Sequence, residues 1–163
     1  MIKAGSSFSY NGKRCTIGAV ISLNEQFYIV TVAHIFRGKG DHLTVDGMKL
    51  VVTKILKHYD LALVELPPES VVEITELGSA AELEQAEVIN DSRVIRCRVV
   101  NAGASLLFLG FQCYNMPEPG DSGSPILQGG KVIGLMSSVT LDTCMGIGIH
   151  PTLSSACKDN ENA

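Results

Sequence analysis

The sequence contains no tryptophan, few aromatic residues of any kind (6%) and no excess of positive charge. Thirteen Lys and Arg stand against seventeen Asp and Glu, a formal charge of −4. This argues against a nucleic-acid partner, because such binding leans on clustered cations. The longest apolar-rich run, Ala104 to Phe111, is far too short to cross a bilayer, so no membrane partner is expected. Met1 to Ser7 carry no apolar stretch of signal-peptide length. No two of the five cysteines have the C-x-x-C spacing of zinc or dithiol redox sites, so no metal and no cofactor is implied. Cys15, Cys97, Cys113, Cys144 and Cys157 read as free, mostly buried thiols of a reducing compartment. A Cys113–Cys144 bridge is the alternative, because both residues flank the region of the candidate site below. The expected location is the cytoplasm, of a microbe or of a virus-infected host cell.

What is present is apolar residue in ordinary globular proportion, 45% of 163 residues, enough for one domain or two small lobes. Turn signals recur at short intervals, at Asn11-Gly12, Asn24-Glu25, Gly38-Lys39-Gly40, Asp46-Gly47, Pro67-Pro68 and Gly129-Gly130. Between them lie alternating or β-branched runs: Cys15–Leu23, Phe27–Val32, Met48–Leu56, Leu61–Leu66, Ser92–Val100, Ser105–Phe111, Lys131–Thr140 and Met145–Ile149. Many short strands separated by frequent turns predict an all-β sandwich or barrel. The basic residues from Arg93 to Arg98 alternate with apolar ones and read as the wet face of a strand. One stretch departs from the pattern. Ser79 to Glu87 is rich in helix formers, with Ser79 and Glu82 in capping-box spacing. It lies mid-chain, so residues 68–87 are assigned as a connector between lobes 1–67 and 88–157. Residues 158–163 are polar and read as a frayed tail.

Three local motifs carry chemistry. Gly120-Asp121-Ser122-Gly123-Ser124-Pro125 places a serine between glycines, which allow a tight turn and close approach of a substrate carbonyl. The backbone N–H groups of Gly120 and Ser122 are the candidate oxyanion donors. Thr31-Val32-Ala33-His34 puts a histidine at the end of an apolar strand, on the rigid scaffold that a general base needs. Tyr59-Asp60-Leu61-Ala62-Leu63 opens another apolar strand with an aspartate, whose burial is costly without a partner. An imidazole N–H is a natural one, and the pair fixes the histidine tautomer.

Taken together, these motifs resemble those of the trypsin/chymotrypsin-like serine peptidases, in the same order His34, Asp60, Ser122 along the chain. The resemblance covers the motifs and adjoining strands, about a third of the sequence. It implies two antiparallel six-stranded β-barrels with the triad at their junction and a peptide or protein substrate. It also implies that Ser137 lies beside the buried aspartate and that Ser137, Ser138 and Val139 pair with an extended peptide. Met116, Val139 and Gly146 then line the specificity pocket, with Gly146 keeping it open, and the expected cleavage follows medium or large apolar residues. The family's usual cysteine after the histidine is replaced by Ile35. No free-amine partner for Asp121 is evident, so backbone N–H groups, Ser137 or a water are expected to satisfy it, with the site active as synthesised. A catalytically silent binding or structural module of the same fold is the competing reading.

Overall fold

The computed structural model describes residues 1–152; Cys157 and the 158–163 tail lie outside the described residues. Fourteen strands and three complete 3-10 turns make up most of the regular structure there, with no α-helix among the described residues. The first half forms β1 (Ser7–Tyr10), β2 (Lys13–Thr16), β3 (Ala19–Leu23), β4 (Gln26–Val32), β5 (His42–Val45), β6 (Met48–Val51), β7 (Lys54–Leu56) and β8 (Leu61–Glu65). The second half forms β9 (Gln85–Ile89), β10 (Val94–Ala102), β11 (Leu106–Phe111), β12 (Pro125–Gln128), β13 (Lys131–Thr140) and β14 (Met145–Ile149). Strands β9 to β14 close a six-stranded antiparallel barrel in the order β10-β11-β14-β13-β12-β9.

The strands of the first half, the other barrel of the expected pair, are grouped less continuously. They form two four-stranded sheets, β2-β1-β5-β6 and β3-β4-β8-β7, over one core that includes Phe8, Ile17, Val20, Ile29, Leu43 and Val64. The chain passes from one sheet to the other at Ile17–Gly18, where Ile17 N–H bonds Ser6 and Gly18 N–H bonds Val30 across the gap. A separate cluster joins the halves: Leu61 and Leu63 of β8 pack with Leu135 of β13 and Ile149 of β14, each at most 3% exposed. Burying such side chains stabilises by about 1.5–3 kcal/mol each, so the halves are held in fixed relation. That junction is where the chemistry-bearing motifs meet.

The helix-like composition of Ser79 to Glu87 does not produce a helix. Leu83 takes a left-handed φ of 67° and its N–H bonds Val99, while the Glu82 carboxylate accepts from Ala102 N–H instead of capping. From Gln85 the burial alternates with period two, Ala86 and Val88 inward, and this pattern selects a strand. Pairing with β10 and β12 overrides local propensity.

The cysteine reading is also corrected. Cys113 and Cys144 form a disulfide, with Cα atoms 5.2 Å apart, tying the segment after β11 to the β13–β14 turn. Cys15 and Cys97 are free thiols, and burial pushes Cys97 up to about 12. With a bridge present, the cysteines by themselves do not point to a reducing compartment. No helix among the described residues is long and apolar enough to cross a membrane.

Candidate active site

Strand β4 ends in a 3-10 turn, Ala33–Ile35, that carries His34 off the sheet; a second, Lys57–Tyr59, leads into Asp60 before β8. Asp60 occupies the left-handed region (φ 53°, ψ 39°), which aspartate tolerates better than most residues. Three hydrogen bonds lock the two segments together. Ala33 N–H donates to the Asp60 carbonyl at 2.9 Å, His34 N–H to Asp60 Oδ1 at 2.8 Å, and His34 Nδ1 pairs with Asp60 Oδ2 at 2.8 Å. Ser137 Oγ, from β13, donates to the same Oδ2 at 2.7 Å. The carboxylate thus spans both halves of the molecule. Burial pushes the Asp60 carboxyl up, but the bonds from His34 and Ser137 outweigh it and hold the group below its usual range. The same bond raises His34 above its ordinary value against the opposing effect of burial.

The nucleophile candidate sits on a third 3-10 turn, Pro119–Asp121, with Ser122 as its C-terminal residue. Gly123 follows at φ +88°, and a Cβ there would lie 2.4 Å from Thr31 Oγ1 and 2.9 Å from the Thr16 carbonyl. Only glycine fits this close approach to β4 and β2. The Ser122 N–H, a candidate oxyanion donor, instead donates to the Pro119 carbonyl at 3.3 Å. Because a trans peptide sets its N–H opposite its carbonyl, the Pro119–Gly120 unit then turns the Gly120 N–H away. Gly120 itself has open space around it. Among the described residues the Ser122 hydroxyl makes no hydrogen bond, but Ser122 and His34 line one cavity of ≈ 530 Å³.

Asp121, 6% exposed, is held by partners the motif did not reveal. Arg93 Nη2 reaches its Oδ2 at 2.5 Å and Arg93 Nε at 3.1 Å; Asn90 Nδ2 donates to Oδ1 at 2.9 Å and Glu118 N–H to Oδ2 at 2.8 Å. Burial raises the Asp121 carboxyl, but Arg93 and these donors more than reverse the effect. The expected partner Ser137 serves Asp60 instead. Arg93 lies just before β10 and turns inward, unlike Arg96 and Arg98, which are exposed between buried Ile95, Cys97 and Val99. The only sequence signal for Arg93 was its place after the turn-forming Asn90-Asp91-Ser92.

A second cleft of ≈ 370 Å³ also reaches Ser122, against Ser137, Ser138 and Val139. β12 pairs with β13 only as far as Pro125 at Leu135, and Ser124 and Gly123 bond the Met136 backbone, so the β13 edge facing β12 has no strand partner beyond Met136. Ser137 falls at a register shift against β14, which accounts for its side chain leaving the sheet towards Asp60. Two pocket assignments need correcting. Met116 does not line this cleft: it packs on the barrel core, and its carbonyl accepts from Arg93 Nη2 at 2.7 Å. Gly146 does not open the cleft either. The space above it is filled by Phe111 and Met136, to which a Cβ would come within 2.6 and 2.9 Å. Met136 takes the lining position instead, with Leu141 and Pro117. Among the described residues no cluster of His, Cys, Asp and Glu could hold a metal ion.

No protein-family model and no curated protein sequence matches the chain. Solved structures do. Thermobifida fusca protease A superposes with a TM-score of 0.73 at 18% identity, over 94% of this chain and 95% of that one. A glutamic acid-specific serine protease with a histidine triad in substrate binding gives 0.73 at 15% identity, over 98% of both chains. A serine protease of human pathogenic astrovirus gives 0.61 at 17%, over 93% and 94%. The chain therefore has the chymotrypsin-like serine protease fold.

Proposed function

We propose that this protein is a serine endopeptidase with peptide or protein substrates, in which Ser122, His34 and Asp60 act as the catalytic triad. The observation that carries the reading is the Asp60 carboxylate, which orients His34 through Nδ1 while Ser137 fixes it from the opposite half. With Nδ1–H committed to Asp60, Nε2 is left as the basic nitrogen of a residue that lines the shared cavity. As substrate binds, Nε2 accepts the Ser122 proton and Oγ bonds the scissile carbonyl carbon. The tetrahedral adduct then collapses, the C–N bond breaks and the amine leaves with the proton from His34. Water, deprotonated by the same nitrogen, releases the acyl group and restores Ser122. Serine–histidine bonds commonly tighten only in the substrate complex.

For Gly120 and Ser122 N–H to serve the oxyanion, the Pro119–Gly120 peptide must turn over, releasing Ser122 N–H from the Pro119 carbonyl. Glycine at position 120 tolerates the backbone angles that such a rotation needs. The extended acyl segment pairs with the unpartnered β13 edge at Ser137–Val139, and Met136, Val139 and Leu141 favour a medium apolar side chain before the cut bond.

The carbonyl turned towards Ser122 N–H is also the observation that favours the silent-module reading. Hydrolysis of peptides bearing Leu, Met or Phe before the cut bond separates the two. Turnover by the parent, with loss on the order of 10⁶-fold in Ser122→Ala, is expected if the triad works as a unit. Equal rates in both proteins would contradict the assignment.

A further inference from the structure

The molecule is acidic overall, yet the cleft around His34 is not. The cavity that His34 and Ser122 share is also lined by Lys13, Arg14 and Arg37. A second cavity of ≈ 580 Å³, on the other flank of His34, is lined by Arg37, Lys39 and Lys57. Asp60 is the one carboxylate among the lining residues of either cavity, and it is committed to His34 and Ser137. Two further acids lie close by. Asp91 approaches Arg14 Nη2 at 3.6 Å, and Asp41 accepts from Tyr10 Oη at 2.6 Å and Arg37 N–H at 2.7 Å. Set against five cations they leave the rim positive, and Lys13, Lys39 and Lys57 form no ion pair among the described residues.

The position of this charge decides what it can select. The acyl part of a bound peptide lies along Ser137–Val139, beside the ≈ 370 Å³ cleft. The part that departs from Ser122 must run the other way, past Pro119 and Gly120 into the cavity walled by the β1–β2 hairpin, Phe36 and Arg37. Lys13 and Arg14, at the start of β2, and Arg37, after the His34 turn, line that cavity.

We propose that Lys13, Arg14 and Arg37 select acidic residues, Asp or Glu, at the first two positions after the cut bond. The inference rests on the endopeptidase reading and adds to the apolar preference before the bond a charged one behind it. Exposed charge pairs contribute about two- to fivefold each, so two acidic positions together give roughly tenfold over neutral ones. The effect weakens with salt, because the Debye length falls to about 3 Å at 1 M.

The test uses one fluorogenic peptide frame with Glu, Gln or Lys at both positions after the cut bond. The expected kcat/KM order is Glu, Gln, Lys, with a Glu-to-Gln ratio near tenfold at low ionic strength that shrinks towards unity at about 1 M salt. Lys13→Glu combined with Arg37→Glu should invert the Glu-to-Lys ratio, a comparison made within one protein preparation. Equal rates for the three peptides, or a ratio indifferent to salt and to the charge reversals, would overturn the proposal. If no peptide is cut, the endopeptidase reading fails, and fluorescence anisotropy with the same peptides still judges the charge. Tighter binding of the Glu peptide supports the cationic subsite, and equal binding overturns it.

Discussion

Arg93, half-buried, and Asp121, buried, form an ion pair on the turn that carries the candidate nucleophile, with two guanidinium nitrogens on one carboxylate oxygen. The same guanidinium holds the Met116 carbonyl at 2.7 Å, so one side chain fixes both the 116–118 segment and the turn carrying Ser122. Replacing Arg93 with Met leaves the Asp121 carboxylate inside the barrel rim without a counter-charge, held only by Asn90 Nδ2 and Glu118 N–H. The expected loss is about 3 kcal/mol of unfolding free energy, the lower end for a broken buried pair because Arg93 still reaches solvent. Urea denaturation reads this directly. The sign with pH is also set. The Asp121 carboxyl is held below its unfolded value near 3.9, so its contribution is full above that pH and lost as pH falls through the still lower folded value. The difference between parent and Arg93→Met should therefore narrow on acidification. Arg93→Lys should fall between them, since an ammonium cannot reproduce the fork.

The acid limb of kcat/KM should report His34. Its imidazole is raised by the Asp60 bond, so the limb's midpoint should lie above the ordinary histidine value of about 6.5. Activity is present above that midpoint and lost below it, where Nε2 carries a proton and cannot accept one. Asp60→Asn should lower kcat by about 10⁴-fold through the wrong tautomer. A rate profile flat from pH 5 to 9 would count against a histidine base.

The two glycines flanking Ser122 should respond in opposite ways. Gly123→Ala forces a Cβ into Thr31 and the Thr16 carbonyl at a strained φ, and should cost on the order of 3 kcal/mol of stability. Gly120→Ala meets nothing within 4 Å and should leave stability within about 0.5 kcal/mol. Thermal denaturation of both variants checks the contrast.

The parts of this protein that were legible from its residues are those encoded locally. Lys131–Thr140 and Met145–Ile149 show their strands through apolar periodicity, and each bears the expected bounds. The motifs around His34, Asp60 and Ser122 are equally local, which is why they stand out without a structure. Long-range pairing hid the rest. Arg93 and Asp121 are separated by 28 residues and meet only once the barrel closes, so Arg93 read as one more exposed strand residue. Glu82 and Leu83 sit in a sequence that favours helix, but β10 offers their backbone and side chains better partners. The pocket assignments failed for a packing reason. The resemblance selects Met116, whereas the residue that lines the cleft is Met136, whose side chain also fills the space above Gly146.

The central claim is that Ser122 is an activated nucleophile driven by His34. Reaction with a fluorophosphonate, followed by peptide mapping in the mass spectrometer, tests it most directly. Stoichiometric modification at Ser122 is expected in the parent, with a rate that rises with pH through the His34 titration and falls by several orders of magnitude in His34→Ala. No adduct in the parent, or an adduct on Ser122 formed equally fast without His34, would contradict it.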